Sequence, residues 1–326
     1  MMREMTVRPE SWPTAVPFVI SKMTCLAAEV VVVELRQGNM VGRGECERTD
    51  AFEDYPDVVA TIESARHAIE DGASRLDLQA LMPSGSARNA IDCALWDLQA
   101  KFDGMPAWRV AGLEPPEHAV TVLTISLGTP EGMAAAAKAA ADRPILKLKL
   151  GGEGDIERVR AVRDAAPNAR LSVDANEAWT TDMVLPYIDA MAELGVEMVE
   201  QPLAIADEGY LRTIECALPV AADESCRDLS SLERIKGCYD LINIKLDKTG
   251  GLTEAMALAK AGRDAGLGIM LGCNLGTSLA MAPAMVLANQ AHFIDLDGPL
   301  LLAKDREPGL VFEGSYIHPP EPALWG

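Results

Sequence analysis

Positive charge is scarce in this chain: 326 residues carry 29 Lys+Arg against 49 Asp+Glu, a formal net charge of −20. So acidic a chain lacks the basic face that displaces phosphate counterions, so nucleic acid is not expected as the main partner, nor is an anionic membrane surface. Histidine is rarer still, with four residues. There is no H-E-x-x-H, and no C-x-x-C among the cysteines at 25, 46, 93, 216, 226, 238 and 273, so no zinc centre is expected. Scattered thiols suit a reducing compartment, where they act as small buried hydrophobes. Long apolar runs are missing too. The longest, Leu275 to Ala288, is interrupted by Gly, Thr, Ser and Pro and is too short to span a bilayer. The opening MMREMTVRPESWPTAVPF is broken by charges and prolines, so no signal-peptide core is expected and the default is a cytoplasmic protein. No G-x-G-x-x-G follows an early strand, which argues against a dinucleotide fold. What is present, 49% apolar and 24% charged residues, is ample for a packed core.

The first third predicts an α+β unit. Strands are expected over Thr14–Ile20, the β-branched Ala28–Leu35 and Met40–Gly44, as an antiparallel meander. Helices are expected over Val58–Asp71 and Ala87–Phe102. The second places Ile91, Leu95, Leu98 and Phe102 on one face and is closed by Gly104 and Pro106. From Ala119 onward the texture becomes strand, turn, helix, repeated. The apolar segments AVTVLTI, ILKLKL, RLSVDA, EMVEQP, VAADES, LINIKL, GIML and HFIDLD are separated by amphipathic or Ala-rich stretches. One of these, TPEGMAAAAKAAA, offers Thr129 as a cap and Pro130 for the first helical turn. Polar residues at the segment ends recur every 22–26 residues, the length of one strand, one helix and two short loops. That period predicts an α/β fold, a modified TIM barrel (β/α)7β over 116–302. The α+β unit over 1–115 would cap it, completed by the C-terminal segment 303–326.

In such a barrel the strand C-termini share one mouth, where catalysis sits. Read in order, they present Thr124, Lys147 and Lys149, Asp174, Glu200, Asp223, Lys245, then Asp295 and Asp297. Taken singly, each acid is more simply a helix cap or an ion-pair partner. Three at one position in consecutive units converge as an all-oxygen set that favours a hard cation, Mg²⁺ first and Mn²⁺ second. Lys147 and Lys149 share a face of their strand. Lys245 leaves a strand four units further round, on the opposite wall. Two lysines facing each other across a metal suit removal of a proton from one face of a carbon and its return on the other, with a lysine pKa lowered by the cation and its neighbour. Asp295 and Asp297 form a paired anionic clamp for an ammonium group.

These runs are familiar. Across nearly its whole length, in PFVI, VVVEL, ARNAIDCALWDL, KLKL, VDANEAW, EQPL, ADES, NIKLDKTGG, LGC and DLDGP, the chain resembles the muconate lactonizing subgroup of the enolase superfamily. Within it, the D-x-D of the eighth strand resembles that of the dipeptide epimerases, especially those acting on L-Ala-D/L-Glu. The resemblance implies Asp174, Glu200 and Asp223 as metal ligands, Lys149 and Lys245 as the acid/base pair, and Lys147 on the substrate carboxylate. It implies Asp295 and Asp297 on the free amino group, and Thr124, Cys273 and Asn274 as further substrate contacts. Loops near Val19–Leu26 and Cys46–Pro56 are expected to close the mouth. The expected partner is a small dipeptide, and the resemblance suggests homo-oligomers. One departure stands out. The arginine that reads the glutamate side chain in the first capping loop is replaced by Cys25, which cannot form a bidentate charged contact. Lys22 is the alternative cation in that loop. A hydrophobic or small second residue therefore competes with glutamate. N-acylamino acid racemisation, o-succinylbenzoate synthesis and a catalytically silent binding barrel are the remaining readings.

Overall fold

The structure, a computed structural model, describes residues 3–48 and 57–326. The chain opens on an antiparallel sheet of β1 (Glu4–Val19), β2 (Thr24–Gln37) and β3 (Met40–Glu47), ordered β1-β2-β3. β1 begins ten residues before the expected Thr14, with Met5 paired to Leu35 and Val7 to Val33. Its prolines and charges, which hide it in the sequence, are tolerated because it is an edge strand bonded to β2 alone. In β2 consecutive valines are buried on both faces. Val31, Val33 and Leu35 pack towards the helix Ser86–Asp103, while Ala28 and Val30 pack against Trp12 and Leu302. β3 lies so close to that helix that a Cβ on Gly44 would sit 2.1 Å from the Ala90 carbonyl. The helical pattern over Val58–Asp71 is realised as two pieces, Val58–Ser64 and Arg66–Glu70. Ser86–Asp103 matches the expected helix, with Gly104 left-handed at its C-cap, and buries Ile91, Leu95 and Leu98 but leaves Phe102 exposed.

The expected first barrel segment splits. β4 (Ala119–Val120) pairs with a C-terminal hairpin of β13 (Phe312–Glu313) and β14 (Tyr316–Ile317). The barrel proper holds β5 (Leu123–Ile125), β6 (Ile145–Lys149), β7 (Arg170–Asp174), β8 (Val196–Glu200), β9 (Val220–Ala222), β10 (Leu241–Ile244), β11 (Gly268–Leu271) and β12 (Phe293–Ile294), in sequence order. Every recorded pairing among them is parallel. The two edges meet where the Val122 N–H donates to the Ile294 carbonyl at 3.0 Å. The connection after β8 is a 3₁₀ segment, Glu208–Thr213, and that after β9 ends in the short helix Leu232–Ile235. The main core lies between strands and outer helices; a smaller one, Met198, Ala221, Leu241 and Met270, forms a separate cluster.

The helix Ser86–Asp103 is the joint between the two parts. Asp92 accepts from the Thr253 N–H and hydroxyl, Trp96 donates to Thr253, and Arg88 donates to the Thr249 and Gly250 carbonyls. At Gly250 and Gly251 φ is 75° and 111°, and a Cβ would come within 2.4 Å of Arg88 and of Asp92 respectively, which accounts for the glycine pair of KTGG. The C-terminal residues return to the first sheet and this helix: Ala303 N–H reaches Pro13, Trp325 Nε1 the Cys93 carbonyl, and Gly326 N–H Asp97. Among the described residues no helix is long and apolar enough to cross a membrane.

Candidate active site

Strand register assembles the site. In the parallel ladder Lys149 stands beside Asp174, and Asp174 beside Glu200, so three charged groups occupy one layer at the strand C-termini. Asp223 follows β9, Lys245 follows β10, and Asp295 follows β12 directly. Lys149 and Lys245 thus belong to the second and sixth of eight strands, on opposite walls, and both line a cavity of about 690 Å³ between barrel and N-terminal sheet.

The floor is a lattice of buried charges. Lys149 Nζ donates to Asp174 Oδ2 at 2.6 Å, and Lys245 Nζ to Asp223 Oδ2 at 2.8 Å. Lys147, 1% exposed, lies 2.6 Å from Asp295, 2.7 Å from Glu200 and 3.2 Å from Asp174. It sits among the carboxylates rather than on the cavity wall. Two further groups, unread in the sequence, complete the lattice. Lys248 donates to the Asp223 carboxylate and to the Asp223 and Asn243 carbonyls, and Asn243 Nδ2 donates to Glu200 Oε1 at 2.7 Å. Asn243 stands two residues before Lys245, where strand alternation gives it the same face; that was the available signal. Gln201, at φ 36°, accepts the Asp223 and Ser225 N–H groups and so fixes the loop after β9.

Charge and burial oppose each other here. Burial pushes the Asp174 carboxyl up, yet the Lys149 and Lys147 ammoniums outweigh it and hold it near 2. Glu200 rises to about 7 through burial and the adjacent Asp174. Burial alone would lower Lys245, but Asp223 and Glu200 raise it overall. Without a cation, the nearest charges to Lys245 are carboxylates, which favour its protonated form.

Asp174, Glu200 and Asp223 each place one oxygen within 4.8 Å of the others, all buried. Around them Asn176 Oδ1 and Asn243 Oδ1 are buried without a hydrogen bond among the described residues. Three carboxylates and no sulfur or imidazole suit a hard divalent cation, so the residues fit Mg²⁺. A second cluster, Cys273, Asp295 and Asp297, also lies within 4.8 Å. Asp297 Oδ2 accepts the Thr124 N–H at 2.6 Å, and burial with the neighbouring Asp295 raises its carboxyl to about 7.

The upper wall comes from loops. The turn between β1 and β2 docks on the barrel: Val19 N–H reaches Ser126 at 3.2 Å, Leu127 N–H reaches the Val19 carbonyl, and Lys22 pairs with Glu177. Cys25 lines the cavity, with Sγ 3.6 Å from Met23 Sδ. Thr124, Cys273 and Asn274 line it as well, and Asn274 donates to Glu47 at 2.7 Å. Of the second expected loop, Cys46, Glu47 and Arg48 are placed, and residues 49–56 lie outside the described residues.

Residues 2–112 match the mandelate racemase/muconate lactonizing enzyme N-terminal domain, and 132–323 match the enolase C-terminal domain-like family. The chain belongs to the mandelate racemase/muconate lactonizing enzyme family. Within that family it is 44% identical to an L-Ala-D/L-Glu epimerase of Escherichia coli, over 97% of this chain and all of the relative. A solved enolase family member from Agrobacterium tumefaciens, with homology to dipeptide epimerases and with sodium and L-Ala-L-Glu bound, superposes with a TM-score of 0.96 at 46% identity. That match covers 99% of this chain and 100% of the other. A dipeptide epimerase from Enterococcus faecalis, complexed with Mg and L-Leu-L-Tyr, superposes at 0.89 with 28% identity over 98% of each chain. The capped, modified barrel is therefore the architecture of a known family, and the Enterococcus faecalis member holds Mg alongside its dipeptide.

Proposed function

We propose that this enzyme is a Mg²⁺-dependent dipeptide epimerase that inverts the α-carbon of the second residue of L-Ala-X, with L-Ala-Glu as first substrate. The observation that carries the reading is the placement of Lys149 and Lys245 on opposite walls of one cavity, each hydrogen-bonded to a carboxylate of the same buried triad. We assign Asp174, Glu200 and Asp223 as the residues that would hold the cation. When bound, Mg²⁺ would supply Lewis-acidic charge that stabilises the substrate carboxylate as negative charge develops on it, and would offset the carboxylates that raise Lys245.

The chain's own groups account for the rest. Asp295 and Asp297 take the ammonium of the first residue, and Asp297 is fixed for this by the Thr124 N–H. Lys147 supplies fixed positive charge beneath the substrate carboxylate. With both ends held, the α-carbon lies between Lys149 and Lys245. One lysine, neutral, takes the α-proton; the opposite one, protonated, delivers a proton to the other face. Reversal of the roles gives the reverse reaction. The cap, residues 1–115 completed by 303–326, closes over the barrel, 116–302, and keeps water from the deprotonated carbon.

A hydrophobic second residue is the alternative, favoured by Phe18, Ile20, Met23, Cys25 and Leu301 on the cavity wall. The test is a panel of dipeptides in D₂O with Mg²⁺, read by mass spectrometry. Deuterium at the second α-carbon of L-Ala-L-Glu, with formation of the D-epimer, is the expected result. Exchange in apolar dipeptides without exchange in L-Ala-L-Glu selects the alternative, and no exchange in any dipeptide overturns both.

A further inference from the structure

With Cys25 unable to bind an anion, a glutamate side chain needs another cation in the same cavity. Among the described residues six cationic side chains line it: Lys22, Arg88, Lys149, Arg227, Lys245 and Lys248. Five are engaged. Lys22 pairs with Glu177. Arg88 is buried and held by Glu254 and by the Met82, Thr249 and Gly250 carbonyls. Lys149 is held by Asp174, and Lys245 and Lys248 by Asp223. Arg227 alone differs. Its backbone N–H is fixed by Ser231 Oγ at 3.0 Å; its exposed guanidinium helps to lower the adjacent Asp228 carboxyl but makes no hydrogen bond or ion pair among the described residues.

We propose that Arg227 reads an acidic side chain on the second residue of the substrate, an assignment that rests on the dipeptide-epimerase reading above. Topology supports the direction. Around the eight strands the two lysines define one axis, second strand to sixth, along which the α-proton leaves and returns. The amino-terminal residue is drawn to the eighth strand by Asp295 and Asp297, and the carboxylate points down to the triad. The remaining substituent of the α-carbon points up and away from the eighth strand, towards the fourth and fifth. Arg227 stands four residues past Asp223 in the loop after the fifth strand, β9. That loop is stapled to the cap by Ser84, which donates to Asp228 at 2.6 Å and lines the same cavity. The guanidinium thus lies on the seam where barrel and cap enclose the substrate side chain, and a planar fork there suits a carboxylate.

The experiment compares kcat/KM for L-Ala-L-Glu and its neutral isostere L-Ala-L-Gln in wild type, Arg227→Ala, Arg227→Lys, Arg227→Glu and Lys22→Ala. Wild type is expected to prefer glutamate. Arg227→Ala should lower the Glu/Gln ratio by about 10- to 100-fold through KM, the loss of one charge-assisted contact. Arg227→Lys should restore part of the ratio, and Arg227→Glu should favour L-Ala-L-Lys over L-Ala-L-Glu. An unchanged ratio in Arg227→Ala, or a collapse in Lys22→Ala alone, overturns the assignment. If wild type inverts L-Ala-L-Gln but has no preference for glutamate, the role of Arg227 fails and the epimerase reading stands. If wild type inverts no dipeptide, both fail.

Discussion

The floor and the upper wall of the cavity are built on different principles. On the floor, neighbouring strands in fixed register set Lys149, Asp174 and Glu200 side by side, and every charge there has a partner. The wall is drawn from separate segments, the β1–β2 turn, Met82–Arg88 and the stretch after β9, and it mixes apolar residues with Arg227, whose guanidinium makes no hydrogen bond or ion pair among the described residues. The floor leaves little room for substitution, because any change strands a buried charge. The wall can exchange a reader residue for another at a different loop position, as Cys25 and Arg227 illustrate. The floor thus sets the reaction and the wall selects the substrate.

The sharpest way to break this division is to remove a lysine. Lys149→Ala or Lys245→Ala should cut epimerisation by about 10²- to 10⁴-fold for every dipeptide, measured as kcat by polarimetry. A loss confined to one dipeptide would assign selectivity to the floor. Next in size is the cation: chelation should abolish turnover for all substrates alike, and added Mg²⁺ should restore it. Asp223→Asn should do the same without rescue, since Lys245 and Lys248 both depend on that carboxylate.

A smaller effect tests the clamp. Asp297→Asn should raise KM for L-Ala-X by about 10-fold or more through loss of a charged partner. The same group gives a pH dependence. Its carboxyl is raised to about 7 by burial and Asp295, against the opposing Thr124 contacts and Lys147. Below that pH the protonated form binds an ammonium poorly, so KM should fall as pH rises through about 7. It should climb again as the substrate amine, near 8, loses its proton. A KM flat from pH 6 to 8 would remove Asp297 from the clamp. Smallest for the chemistry is Gly44→Ala, whose Cβ would press on the Ala90 carbonyl. It should cost about 1–3 kcal/mol of stability, seen as a lower Tm, with kcat within about twofold.

This contrast also explains what was legible in the sequence. The barrel and its floor could be read because strand ends recur at a fixed spacing and side chains alternate, which placed the triad and both lysines. Asn243 was within reach of the same rule. Lys248 was not, since it sits in the helical turn Leu246–Thr249 after the strand and folds back on Asp223. The break between β4 and β5 inside AVTVLTI depends on the distant hairpin of β13 and β14, which local pattern cannot report. Phe102 shows the opposite error: helical spacing put it on the buried face, but it lies exposed in the last turn. Arg227 was invisible, because its place is fixed by how a loop meets the cap.

In the proposed reaction two lysines on opposite walls each serve one configuration of the same carbon. The most direct measurement follows α-proton exchange of L-Ala-L-Glu and L-Ala-D-Glu separately in D₂O, by ¹H NMR, in Lys149→Ala and Lys245→Ala. A crossed pattern is expected: epimerisation falls by about 10²-fold or more in both variants, and each exchanges one epimer only, the two variants exchanging opposite ones. Exchange of both epimers by the same variant, or epimerisation by either near the wild-type rate, would contradict it.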